Sequence, residues 1–315
     1  MRSRVIFSLL ATATVLAAAE PPPQPAKSPD QPSADELYEA GKSLFDEYAP
    51  PEIKAQYEFP SRERWDAFAA RLQQALDNND LAALAAYEPE AKAALAALRV
   101  LPGYEDYADW LAVRLDYIEA AKEAVRQPGL HPPVITPGHA PINLPYYDLW
   151  LTRIRARPRP ARADELMPVL GAAFAAEGVP PELAWLAEAE STLDPGARSP
   201  AGAKGLFQLM PDTARALGLS TFLPDERANV EKSARAAAHY LRILREKFGD
   251  WLLALAAYNA GEGRVRRLLA SRNAHSFAEV ADALSTETRM YVPKVCATIA
   301  VRAGVAPGDI PAPGA

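Results

Sequence analysis

Apolar residues recur at helical spacing along almost the whole chain, and no stretch alternates for long with period two. In residues 35–48, Leu37, Ala40, Leu44 and Phe45 fall on one helical face. Ser61 is placed to cap a helix carrying Trp65, Phe68, Ala69, Leu72 and Leu76, with Glu63 and Arg64 in its first turns. Residues 81–98 are rich in Ala and Leu, and residues 104–125 repeat Tyr107, Leu111, Leu115, Ile118 and Ala121. These spacings predict a small helical module over residues 32–127.

Residues 127–145 hold six prolines and two glycines, which no regular element tolerates, so the best domain boundary falls there. Residues 128–162, including an aromatic and apolar segment at 146–154 and the Arg/Pro-rich run 155–162, read as a strap into a second helical domain spanning 163–303. There Asp164 can cap a helix through Ala176, ended by Gly178, and Pro180 and Pro181 suit the first turn of a helix over 182–191. A loop over 192–204 precedes a short helix expected to open at Gly205 and run through Leu217. Residues 229–248 form a long helix with Ala237, Tyr240, Leu241, Leu244 and Phe248 inward, stopped by Gly249. A segment over 251–258 follows, then a capping box from Ser276 and Glu279, then a helix over 287–302 bent at Pro293. Residues 304–315 are a Pro/Gly tail, and the predicted class is all-α.

Composition narrows the function. Hydrophobic residues are 49% and charged residues 23%, as in soluble globular proteins, and the 30 prolines punctuate helices. The formal net charge is −6, which lacks the basic field that nucleic acid demands, so no nucleic-acid partner is expected. Arg2 and Arg4, an apolar run over 5–16 and Ala17, Ala18 and Ala19 read as a cleaved signal peptide over residues 1–19. The run is short for a membrane span of ~20 residues. Removing those two arginines leaves 32 basic and 40 acidic residues, a net charge of −8. Residues 20–31 read as a flexible linker. Cys296 is the only cysteine, so no intrachain disulfide forms, and its apolar neighbours suit helix packing better than nucleophilic chemistry. His131, His139, His239 and His275 lack metal-ligand spacing, so neither a metal nor a cofactor is expected.

The candidate chemistry sits in four short patterns. Glu190-Ser191 ends a mostly apolar helix containing Leu183, Trp185, Leu186, Ala187 and Ala189. The helix dipole and burial both push a carboxyl there toward its protonated form, which general acid catalysis needs. An ordinary surface glutamate is the competing reading. Glu188 lies about 200° round the helix and faces elsewhere. The second pattern runs from Ser199 through Gly205-Leu206-Phe207-Gln208-Leu209-Met210-Pro211, and alone could be an amphipathic helix start. Tyr258-Asn259-Ala260-Gly261 could be a helix C-terminus with its cap. Glu287-Thr288-Arg289-Met290-Tyr291 is the fourth.

Together, in this order and spacing, the four patterns resemble the lytic transglycosylases of goose-type lysozyme-like fold, over about residues 166–302. Val179-Pro180-Pro181-Glu182-Leu183-Ala184, Asp225-Glu226-Arg227, Phe248-Gly249-Asp250-Trp251 and Gly261-Glu262-Gly263-Arg264-Val265 are similar to the D-type membrane-bound subfamily. The resemblance implies a periplasmic enzyme that cleaves peptidoglycan glycan strands with Glu190 as sole acid/base. It places Ser199 near the reacting sugar, Gln208 and Met210 in the groove floor, Tyr258 and Asn259 as a polar pair facing the acid, and Glu287 and Tyr291 on a closing helix. Phe207 departs from the Met or Trp of many members, and no sugar-binding repeat follows residue 302. Phe207 and Tyr291 are expected as faces on which sugar rings stack. The implied reaction is intramolecular: Glu190 protonates the bridging oxygen, then accepts the proton of the sugar's C6 hydroxyl as it attacks C1. Orientation supplies much of such a step. Plain hydrolysis on the same fold and a silent peptidoglycan-binding scaffold are the rivals. Residues 32–127 carry no motif by which a family is named and could dock onto cell-wall machinery.

Overall fold

The structure, a computed structural model, describes residues 80–99, 105–126, 133–136, 138, 141–199 and 202–314, with isolated positions between 42 and 77. The expected signal peptide, the linker and most of the helices at 35–48 and 61–76 lie outside the described residues. Among the described residues the protein is all-α, with only isolated bridges such as Val134–Ile142 and Lys204–Leu209.

Among the described residues the first group includes α1 (Leu81–Ala85), α2 (Glu88–Arg99) and α3 (Glu105–Arg126). Asp80 caps α1 by accepting from Ala82 and Ala83 N–H at 3.0 Å each, satisfying donors the helix leaves unpaired. Leu84, Leu95, Leu111 and Ile118 close a small core there. The main core belongs to α4 (Tyr147–Arg155), α5 (Ala163–Ala176), α6 (Leu186–Ser191), α7 (Pro211–Ala216), α8 (Val230–Phe248), α9 (Trp251–Ala260), α10 (Glu262–Arg272), α11 (Phe277–Val280) and α12 (Thr286–Ala303). Tyr117 and Ala120 of α3 also belong to the main core, so that helix is shared between the two clusters.

At the centre is α12. It is buried from Met290 through Ile299, the behaviour of a helix without a broad polar face. It packs on α4, α9 and α6. The long α8 is amphipathic, with Ala234, Ala237, Leu241 and Leu244 inward. Asn229 caps it by accepting from Lys232 N–H at 2.9 Å, and Gly249 ends it at φ 71°.

Several expected elements differ in form. Within the expected strap, Tyr147–Arg155 is helical, with Trp150 and Ile154 in the main core. The helix expected over 182–191 is a 3-10 turn, Pro181–Trp185, followed by the single α-turn pair of α6. No helix opens at Gly205. Gly205 at φ +80° and Gln208 at φ 46° cannot sit in a right-handed helix, so the chain makes a tight loop and α7 starts at Pro211. Arg162, rather than Asp164, occupies the N-cap of α5. The capping box is incomplete: Glu279 takes the Ser276 hydroxyl at 2.6 Å and the His275 N–H at 3.0 Å, but Ser276 makes no capping bond in return. Helix α10 shows little apolar periodicity in the sequence, and Val265 is its one buried residue.

Glu188 and Arg302 join α6 to the end of α12. The carboxylate meets the guanidinium at 2.8 and 2.9 Å, with both side chains under 10% exposed, and Arg302 also donates to the Pro158 carbonyl at 3.0 Å. Arg302→Leu should cost about 3–5 kcal/mol, because it strands a buried carboxylate. The double variant with Glu188→Leu should recover most of that. Urea denaturation of the three proteins checks it, and a double variant no better than the single contradicts it.

Candidate functional site

The acid is positioned by a helix that ends abruptly. Glu190 is the penultimate residue of α6, and Thr192 and Leu193 follow at φ 55° and 61°, two consecutive left-handed non-glycine residues. Thr192 N–H returns to the Glu188 carbonyl at 3.0 Å and Leu193 N–H to Ala187 at 3.3 Å, the pattern that closes a helix C-terminus. Burial of Leu193 and the Ser191 hydroxyl, within 2.9 Å of the Leu206 carbonyl, hold this costly geometry. Strain of this kind next to a carboxylate marks a place where backbone shape serves a side chain.

Glu190 is partly exposed, and its Oε1 accepts a 2.6 Å hydrogen bond from the Tyr291 hydroxyl of α12. Desolvation pushes its carboxyl up to about 7. The Tyr291 hydrogen bond opposes this, as do the charges of Arg114 and Lys294, while Glu287 reinforces it. The group is thus poised to hold a proton near neutral pH and to release it cheaply. Burial and the acid itself drive the phenols of Tyr258 and Tyr291 well above their ordinary range, so both remain neutral donors. Tyr291→Phe removes a donor to the charged form. By the 1.5–3 kcal/mol of such bonds, the Glu190 titration should rise by about 1–2 pH units. Carboxyl-carbon NMR titration reads this directly, and an unmoved midpoint contradicts the contact.

The other expected site residues divide. Tyr258 donates to the Phe207 carbonyl at 2.8 Å and interacts electrostatically with Glu190, so it ties the loop to α9 beside the acid. The Asn259 side-chain oxygen accepts from Thr288 at 2.7 Å, linking α9 to the start of α12. The hydroxyl on the acid is therefore that of Tyr291. Ser199 accepts from Ala203 N–H at 3.0 Å, and Gln208 donates to the Gly205 and Ala197 carbonyls at 2.9 and 3.3 Å, so both shape the loop. Met210 is 43% exposed at the foot of α7, open to a bound molecule. Phe207 and Tyr291 are corrected as stacking faces: both are buried, Phe207 against the Phe174 ring at 5.6 Å. A packed ring has no free face for a sugar.

Several participants were not among the expected site residues. Arg227 reaches the Gly202 and Leu209 carbonyls at 2.7 and 3.1 Å while paired with Asp225, whose carboxyl it holds down at about 2. That arginine clips the 202–209 loop in place. Behind Tyr291, Lys294 meets Asp116 of α3 at 3.1 Å and lies over the rings of Tyr117 and Trp150 at 4.5 and 5.4 Å. Burial alone would raise Asp116, but Lys294, Arg157 and Arg153 hold it well below the usual carboxylate range. Glu287 lies 3.5 Å from Arg114, also on α3. Among the described residues no group of three or more His, Cys, Asp or Glu side chains is placed to hold a metal ion.

Residues 168–280 match the family model described as the Transglycosylase SLT domain. Over 140 residues the chain is 39% identical to the membrane-bound lytic murein transglycosylase D of Escherichia coli (strain K12), covering 43% of this chain and 31% of that protein. It is 37% identical over 120 residues to the soluble lytic murein transglycosylase of Salmonella typhimurium (strain LT2), covering 36% of this chain and 19% of that one. The matched parts thus span about a third or less of these relatives. The 70 kDa soluble lytic transglycosylase from Escherichia coli aligns with 89% of this chain and 59% of its own, at 20% identity and a TM-score of 0.41.

Proposed function

We propose that this chain, in which residues 168–280 match a transglycosylase SLT domain, is a peptidoglycan lytic transglycosylase with a lysozyme-like catalytic domain over residues 163–303. The observation that carries the reading is the Glu190 carboxyl, held near 7 by desolvation and hydrogen-bonded by Tyr291 at the end of a helix in that segment. Glu190 protonates the oxygen between N-acetylmuramic acid and N-acetylglucosamine. The C1–O bond to that oxygen breaks and N-acetylglucosamine departs as its C4 alcohol; Glu190, now a carboxylate, takes the C6 hydroxyl proton as the C6 oxygen bonds to C1, closing a 1,6-anhydromuramyl end. Atoms balance without water, so one carboxylate suffices where most glycosidases need two. Glu188 cannot serve as a second, being bound to Arg302.

Glu287 is the observation that favours a rival, since its carboxylate interacts with Glu190 and could activate water. The mass of muropeptides released by the purified protein separates the two. Anhydro ends, lighter by one water, support transglycosylation, and reducing ends support hydrolysis.

Met210 offers its exposed side chain to the glycan strand, while Ser199, Gln208, Tyr258 and Asn259 hold the loops that shape the groove. Action in the periplasm, after removal of residues 1–19, completes the reading. No helix of the described residues is long and apolar enough to cross a membrane. Residues 32–127 are the piece proposed to dock onto other cell-wall proteins.

A further inference from the structure

The segment matched by the family begins at residue 168, yet the acid is faced by a helix that ends at Arg126. Helix α3 brings three groups to the site. Tyr117 lies in the main core and interacts electrostatically with Glu190 and Glu287. Asp116 receives Lys294. Arg114 lies 3.5 Å from Glu287 and stacks over Trp110, one turn earlier, at 4.9 Å. Its Nε is buried without a hydrogen-bond partner, so the Trp110 face and the Glu287 carboxylate are what aim the guanidinium.

We infer that Arg114 is a positioning residue: from α3 it anchors the Glu287 carboxylate and keeps a permanent positive charge facing the acid, so the N-terminal helices set the pH range in which Glu190 works. This deepens the lytic reading of the same site and rests on it. The charged and titratable groups facing Glu190 are Glu287, Tyr291 and Lys294 from α12, Tyr258 from α9, and Arg114 and Tyr117 from α3, with Asp116 behind Lys294. Glu287 and Arg114 act in opposite senses on the acid. Their pairing keeps a second carboxylate in the site without letting it lock Glu190 in the protonated form, which the second step must escape. Arg114 pairs with this carboxylate and comes from α3, outside residues 163–303, whereas Tyr291 and Lys294 share the helix of Glu287.

The sign follows directly. Replacing Arg114 by Gln removes a positive charge and leaves Glu287 uncompensated, and both changes favour the protonated acid. At the effective dielectric of a partly buried site, one charge several ångströms away is worth about one pH unit. The alkaline limb of kcat/KM reports the acid of the free enzyme. In the full chain acting on isolated peptidoglycan, Arg114→Gln should therefore shift that limb to higher pH by about one unit. Arg114→Lys, which keeps the charge, should return most of the shift. Carboxyl-carbon NMR titration of Glu190 in the same full-length proteins should move in parallel and needs no turnover. An unmoved limb and titration in Arg114→Gln overturns the inference, as does a raised KM with the limb in place, which would make Arg114 a substrate contact. If Arg114→Gln failed to fold, Arg114→Met and Arg114→Lys carry the same comparison through the NMR titration. A wild-type protein that released neither anhydro nor reducing ends would defeat the lytic reading, while the NMR titration would still judge Arg114.

Discussion

Glu190→Gln should lower the release of muropeptides toward 10⁴-fold, the upper end of what general acid–base catalysis contributes, because one group serves both proton transfers. The same substitution should leave the fold intact and make it more stable at alkaline pH. The Glu190 carboxyl titrates at about 7 in the folded chain against 4.5 for an unperturbed group. The native state therefore binds this proton more tightly than the unfolded state. Stability arising from this site is full below about pH 4.5 and falls as pH rises through 7. Complete desolvation would set the loss at about 3 kcal/mol, and partial exposure of the side chain lowers it to about 1–2 kcal/mol. Glutamine stays neutral throughout. Thermal melts of the two proteins should thus coincide near pH 4 and separate near pH 8, with the variant higher. Equal melting at both pH values would mean that the carboxyl is not desolvated, and retained activity would remove it from the chemistry.

Gly205→Ala should be the most damaging small change in the loop that faces the acid. A Cβ at this position would lie 2.0 Å from the Arg227 carbonyl oxygen and 2.9 Å from its carbon, both backbone atoms. Nothing flexible stands in the way to yield. The residue also sits at φ +80°, where an L side chain costs about 1–2 kcal/mol. Overpacking adds about 1–3 kcal/mol, so the total is a large share of an ordinary domain's stability of about 5–15 kcal/mol. Gly218→Ala is the control: its φ is +83° and no atom lies within 4 Å of the added carbon. Urea midpoints should show Gly205→Ala losing about twice as much stability as Gly218→Ala or more. Equal losses would mean that the loop and Arg227 move apart freely, and Gly205 would then be needed only for its backbone angle.

The two variants address different layers of the same site. Glu190 is chemistry; Gly205 is the backbone that allows Arg227 to clip the loop carrying Phe207, whose carbonyl in turn receives Tyr258. A loss of activity in Gly205→Ala without global unfolding would trace through that chain of contacts to the tyrosine beside the acid.

Much of this was readable from the chain itself. Helical periodicity placed α8 and α12 nearly to the residue, because long amphipathic or capped helices state their own boundaries: Asn229 and Gly249 bracket the first, and Ser285 and Gly304 the second. Glu190 was singled out for its apolar helix and its position at a C-terminus, and both features act locally. Residues 205–210 read as the start of a helix because they have acceptable helix propensity. What forbids a helix there is the closeness of the Arg227 backbone, about twenty residues away in sequence. Phe207 and Tyr291 looked like sugar platforms because residue type states that a ring is present, not which surface it meets.

Periodicity, capping and the grouping of four motifs come from interactions within a few residues, and these the amino-acid order determines by itself: an all-α chain with an acid at a helix end. Which groups surround that acid depends on contacts between segments 101 and 173 residues apart, Tyr291 with Glu190 and Arg114 with Glu287. Electrostatic fields and desolvation act through space rather than along the chain. Only the folded arrangement therefore decided that the acid's hydroxyl partner is Tyr291, that its proton is held near neutrality, and that a helix outside the matched segment shares the site.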